Sequence, residues 1–139
     1  MSLFVLDTDH LSLYEKGHVQ VLRNIARRTT DQIAISVITV EEQLVGWQRV
    51  LHQAKDDAKR EQIYWRMART VESLAGWPVV PFSIAAMQRR GTLLRMRLSV
   101  GSNDLKIAAI TLEAGGTVVT RNLRDFSRVP GVNLEDWST

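Results

Sequence analysis

The sequence predicts an α/β fold: a single domain over residues 1–139, built on a central parallel sheet of four to five strands with helices on both faces. Three observations carry this. Short runs rich in Val and Ile are continuously apolar rather than alternating, the pattern of strands buried on both faces of a parallel sheet. Helical stretches lie between these runs, as parallel crossovers require. A chain of 139 residues, 45% hydrophobic and 24% charged, is long enough to bury one core and has the balance of a globular protein.

In chain order, Phe4 to Asp7 reads as the first strand and runs into a helix starting near His10. A helix over Val19 to Arg28 leads to a second strand, Ile33 to Val37, followed by helices over Val40 to Gln53 and Asp57 to Leu74. In the latter, Ile63, Met67, Val71 and Leu74 recur at helical spacing and read as a core stripe, leaving Lys59, Arg60, Arg66 and Arg69 outward. Trp77-Pro78 breaks the pattern before a third strand, Val79 to Phe82, and a helix over Ile84 to Arg97. The helix from Asp104 to Ala114 stops at Gly115-Gly116. Strands over Thr117 to Thr120 and Val132 to Leu134 complete the sheet.

The chain has no cysteine, which excludes a disulfide framework, a thiolate metal site and a cysteine nucleophile. The apolar run Leu3 to Leu6 is too short for a signal segment or a membrane span, so the expected address is cytoplasmic and no membrane role is expected. The formal charge is +3, and Arg dominates the basic residues; its planar fork pairs with phosphate and stacks on bases, pointing to nucleic acid or an acidic partner. If four acids gather in one pocket, 11 acids remain to face 18 bases. An acidic hole in a basic surface suits a metal-dependent nuclease.

Ligand sites in such sheets lie outside the strand C-termini, where four acids recur. Asp7 closes the first strand; it could cap the next helix, but Asp9 is nearer the expected helix start and is read as the cap or a supporting group. Glu42 fits a capping box with Thr39, yet in either role it stands at the same edge, with Glu41 turned toward solvent. Asp104 opens a helix that Ser102 or Asn103 could cap, and Asp125 lies just beyond the fourth strand, where it could be a turn acid. Two carboxylates about 4 Å apart repel by roughly 4 kcal/mol at an effective dielectric near 20. A hard divalent cation, Mg²⁺ or Mn²⁺, would relieve such a cluster and activate water toward a phosphodiester.

The segments Phe4-Val5-Leu6-Asp7-Thr8-Asp9, Ser36-Val37-Ile38-Thr39-Val40-Glu41-Glu42, Gly101-Ser102-Asn103-Asp104-Leu105-Lys106 and Val119-Thr120-Arg121-Asn122-Leu123-Arg124-Asp125-Phe126 resemble the PIN domain. Within that family they are similar to the VapC-type toxins of bacterial toxin–antitoxin pairs. The resemblance spans nearly the whole chain. It implies a metal-dependent endoribonuclease, with Asp7, Glu42 and Asp104 as principal acids and Asp125 completing the quartet. Thr120 and Asn122 stand where the family has polar helpers; Asn122 and Asp125 share the fourth position, and Asp9 replaces a commoner Asn. The resemblance further implies an RNA substrate, a homodimer and a cognate antitoxin that occludes the acidic pocket.

Other residues read as structural. His10, His18 and His52 lack zinc-site spacing, Ser36 and Ser102 lack a His base, and Trp47, Trp65, Trp77 and Trp137 could stack on bases but better suit a core or a dimer interface. Arg89, Arg90 and Arg97, on one expected helix, could guide RNA, meet an antitoxin or simply face solvent. The alternative function is a non-catalytic PIN-like module that binds RNA or protein. A phosphoacceptor receiver is disfavoured because the third strand, Val80-Pro81-Phe82, ends without an acid.

Overall fold

The structure, a computed structural model, describes residues 2–139. The chain runs β1 (Leu3–Leu6), α1 (Thr8–Glu15), α2 (Val19–Arg27), β2 (Gln32–Ser36), α3 (Val37–Gln53), α4 (Asp57–Ala75) and β3 (Val79–Val80). It continues through α5 (Ile84–Arg95), α6 (Ser102–Ala114), β4 (Thr117–Val119), α7 (Leu123–Phe126) and β5 (Asn133–Glu135). The five strands form one parallel sheet in the order β3-β2-β1-β4-β5. The central strand β1 therefore has β2 on one side and β4 on the other, and the strand order reverses between β1 and β4. Such a reversal opens a crevice outside the strand C-termini.

Alternation along the strands divides the core between the two sheet faces. In β4, Val118 joins α5, α6 and α7 through Leu93, Ile107, Ile110 and Phe126, whereas its neighbour Val119 joins Phe4, Leu6, Leu11, Ile35, Leu74 and Trp137. Helix α6 is buried nearly all round, as its run Leu105, Ile107, Ala108, Ala109 and Ile110 demands. It ends where expected, because Gly115 adopts the left-handed φ of 71° that closes a helix cheaply only at glycine.

Several boundaries differ from the sequence reading for identifiable reasons. The third strand stops at Val80, since Pro81 has no N–H to donate to the ladder. Helix α3 starts three residues early: Ser36, at the end of β2, caps it by accepting from the Thr39 amide at 3.3 Å. Thr39 is thus inside the helix and fully buried, and the Thr39–Glu42 capping box does not form. Helix α6 begins at Ser102 behind Gly101 with no side-chain cap, so neither Ser102 nor Asn103 serves. Helix α5 ends at Arg95, leaving Arg97 beyond it at φ 53°, and Arg89 pairs with Glu113 at 3.3 Å rather than standing free. The stripe on α4 is core only in part: Ile63 and Leu74 are buried, but Val71 is 54% exposed. Trp65, 63% exposed, is likewise not a core residue of this chain.

The C-terminal segment folds back on the start of the chain. Trp137 is buried against Phe4, with ring centroids 5.1 Å apart, and the Arg28 guanidinium stacks 4.2 Å from its ring. Its indole N–H donates to Glu135 at 2.9 Å. Replacing a buried aromatic by alanine costs about 3–5 kcal/mol. Trp137→Ala is therefore expected to lose that much stability in chemical denaturation, and a loss below about 1 kcal/mol would show that this segment packs elsewhere.

Candidate functional site

The crevice at the β1–β4 reversal is built around Asp7. Its backbone N–H donates to the Val119 carbonyl at 2.9 Å, extending the β1–β4 ladder by one bond. Its extended backbone (φ −70°, ψ 162°) makes it the N-cap of α1, Oδ1 accepting from the Thr8 amide at 2.8 Å. The other oxygen, Oδ2, accepts from the Thr120 hydroxyl at 2.9 Å, and the residue is 7% exposed. Asp7 therefore takes the cap position expected of Asp9 while also facing the crevice. Asp9 sits in the first turn of α1, and its Oδ2 accepts from the Arg121 amide at 3.0 Å.

The other acids approach from neighbouring elements. Glu42, in the second turn of α3, accepts from the Thr8 hydroxyl at 3.2 Å, and Asn103 lines a shared cavity beside it. Asp104 enters from the first turn of α6. Asn122 is the wedge between Asp104 and Asp125, its amide nitrogen donating to Asp104 Oδ2 at 3.0 Å and to Asp125 Oδ2 at 3.1 Å. Asp125 lies in the short helix α7, which the sequence reading does not foresee, and Arg128 pairs with it at 3.2 Å while donating to the Ser99 carbonyl at 2.8 Å. Glu41 is exposed, as expected.

Burial and mutual repulsion raise the carboxyl pKa values of Asp7, Asp104 and Glu42. Asp7 is pushed up to about 6, first by desolvation and then by Asp9, with Asp104 adding; the Thr8 amide and Thr120 hydroxyl oppose this. Burial raises Asp104, Asn122 opposes, and Asp125 and Asp9 push further. Burial raises Glu42, Thr8 and Asn103 oppose, and Asp104 and Glu41 add. These acids thus share one electrostatic neighbourhood. They do not close into a direct chelate: among the described residues, no three acidic or histidine side chains are placed to hold one ion together. Asn122 bonds one oxygen each of Asp104 and Asp125, and Thr120 bonds one oxygen of Asp7. An all-oxygen set of this kind still fits Mg²⁺, which keeps several waters and needs only one or two direct carboxylates.

Next to Glu42 a cavity of about 390 Å³ is lined by Glu41, Glu42, Val45, Gly46, Arg49 and Asn103. Arg121 and Arg124 are exposed on the segment that carries Asn122 and Asp125. Thr8, Asn103 and Arg128 are the contacts the sequence reading leaves without a site role. For Thr8 and Asn103 the available signal is adjacency, since each neighbours a candidate acid inside a motif. No helix among the described residues is long and apolar enough to cross a membrane.

Comparison with known proteins bears on this geometry. The PIN domain family model matches residues 4–132. The tRNA(fMet)-specific endonuclease VapC of Salmonella typhimurium is 30% identical over 141 residues, covering 99% of both chains. Among solved structures, VapBC2 of Rickettsia felis bound to a DNA fragment from its promoter superposes with a TM-score of 0.73, at 26% identity over 97% of this chain and 98% of that one. The DNA-bound VapBC of Salmonella typhimurium gives 0.69, at 27% identity over 99% of both chains. With a family model spanning nearly its whole length and a VapC relative matching it end to end, this chain belongs to the PIN-domain family, on its VapC branch.

Proposed function

We propose that residues 1–139 act as one domain, a divalent-cation-dependent endoribonuclease that hydrolyses RNA phosphodiesters, and that it is the toxin of a type II toxin–antitoxin pair. The observation that carries the reading is the meeting of Asp7, Glu42 and Asp104, from three separate elements, at the crevice where the sheet order reverses. The named activity of the VapC relatives, and the VapBC complexes among the structural neighbours, support the RNA substrate and a cognate antitoxin. The family resemblance adds a homodimer.

Asp7, Glu42, Asp104 and Asp125 would hold the cation, Mg²⁺ or Mn²⁺, one or two of them directly and the others through its waters. When bound, it supplies positive charge to the scissile phosphate and makes the attacking water more acidic. The chain's own part is orientation and exclusion. Thr120 fixes one oxygen of Asp7, and the Asn122 amide spaces Asp104 from Asp125. Arg49, Arg121 and Arg124 offer exposed cations for phosphates on either side of the acids. A non-catalytic binding module is the second reading, favoured by the lack of a three-acid chelate among the described residues.

Cleavage assays separate the two. Asp7→Asn and Asp104→Asn are each expected to lower Mg²⁺-dependent RNA cleavage by roughly 100-fold or more while leaving the circular dichroism spectrum unchanged. Wild-type cleavage by the double variant would overturn the assignment.

A second expectation concerns stability without metal. The folded Asp7 carboxyl titrates at about 6 against 3.8 for the free side chain. Between those values the folded chain keeps a proton that the unfolded chain releases, so stability falls as pH rises through that window. About two units correspond to about 3 kcal/mol. Asp7→Asn removes the buried charge and should stabilise the metal-free protein by about 1–3 kcal/mol at pH 7–8, the gain vanishing near pH 3. Urea unfolding at both pH values checks this, and a destabilised variant at pH 8 would contradict it.

A further inference from the structure

Among the described residues, His10 is the buried titratable side chain to which the reaction above gives no part. It is fully buried in the first turn of α1, its ring wedged between Asp9 and the C-terminal segment. The backbone N–H of Trp137, itself buried, points at His10 Nε2 from 3.0 Å. A buried amide N–H requires an acceptor, so Nε2 is the acceptor and the hydrogen-bond pattern assigns the ring N–H to Nδ1. Nδ1 lies 2.8 Å from Asp9 Oδ1 and donates to it. Asp136 Oδ1 is 3.4 Å from Nε2, but it is already bonded by the Ser138 amide at 2.8 Å and hydroxyl at 2.6 Å.

The two ends of the imidazole therefore do different jobs. The Nε2 end ties down the C-terminal segment. The Nδ1 end holds Asp9, whose Oδ2 accepts from the Arg121 amide at 3.0 Å and lies 3.4 Å from the Thr120 hydroxyl. Arg121 is the single residue between Thr120, which bonds Asp7, and Asn122, which bonds Asp104 and Asp125. The Asn122 amide closes the loop by donating to Thr120 Oγ1 at 2.9 Å. The Thr120 amide is held separately by the Glu135 carbonyl at 2.9 Å, so rotation of Asp9 would release the Arg121 N–H, the tie at the middle of the turn between the two polar groups that space the acids.

We propose that His10 is a positioning residue of the acidic site: its Nδ1–H locks Asp9, and Asp9 locks the Thr120–Asn122 turn against Asp7 and Asp104. The proposal rests on reading those acids as the hydrolytic site. A purely structural histidine would matter only through Trp137.

Two amide substitutions separate the ends of the ring. In His10→Asn the amide falls at the level of Nδ1, so the donor to Asp9 is kept and the acceptor for Trp137 is lost. In His10→Gln it falls at the level of Nε2, with the opposite outcome. The expected result is a kcat roughly 10- to 100-fold down in His10→Gln with KM unchanged, and rescue of most of that loss in His10→Asn despite its lower Tm. Backbone amide exchange by NMR gives a readout that needs no turnover: Arg121 should exchange faster in His10→Gln and Trp137 faster in His10→Asn.

Wild-type kcat in His10→Gln with Arg121 still protected would overturn the proposal. So would losses of turnover in both variants that simply follow Tm. If wild type and Asp7→Asn cleave alike, the hydrolytic reading fails on its own. The exchange pattern then decides the His10–Asp9 link: crossed protection upholds it, and equal protection in both variants overturns it.

Discussion

A carboxylate placed at the buried end of the central strand governs the rest of this structure. Asp7 follows three fully or nearly buried residues of β1 and stands where the strand order reverses, so the fold itself withdraws it from water. Its charge is opposed by desolvation and by Asp9 and Asp104, and is tolerated because the Thr8 amide and the Thr120 hydroxyl each satisfy one oxygen. An acid held this way is unfavourable for folding, and cations at that edge are the natural counterweight. Sites of this kind commonly trade stability for function.

The surrounding polar groups follow from the same constraint. Thr120, fully buried at the end of β4, has a hydroxyl that donates to Asp7 and accepts from Asn122. Asn122 in turn keeps Asp104 and Asp125 apart, and Thr8 restrains Glu42. Each acid is thus oriented by a neutral donor rather than by a basic partner, except Asp125, which Arg128 pairs. The acids remain open to a cation while the backbone beneath them is fixed on both sides by the β1–β4 ladder.

Much of this was legible in the sequence because it is local. The continuous apolar runs gave the strands, Gly115 marked the end of α6, and a parallel sheet alone places residues after each strand at one edge. That logic points to Asp7 and Glu42, whereas Asp104, which follows α5 rather than a strand, is marked by the motif around it. What stayed hidden depends on contacts across the chain. Ser36 rather than Thr39 caps α3 because β2 runs directly into the helix, a junction that local capping patterns do not reveal. The cap role passed from Asp9 to Asp7 because Asp9 is drawn to Arg121, 112 residues away. Asn122 as a spacer, and the missing three-acid chelate, require the β4–α7 turn and the first turn of α6 to be seen together. Val71 and Trp65 have helical positions compatible with a core, yet α4 turns them outward. His10 carries no spacing signal at all, since both its partners, Asp9 and Trp137, become meaningful only once the C-terminal segment folds back.

The most direct test of the central claim is a crystal structure of the protein soaked with Mn²⁺ and measured at the manganese absorption edge. The expected result is anomalous density at the Asp7–Asp104 edge, with an oxygen of at least one of these two acids coordinating the ion. Manganese bound only elsewhere, or no density at that edge under saturating Mn²⁺, would contradict it.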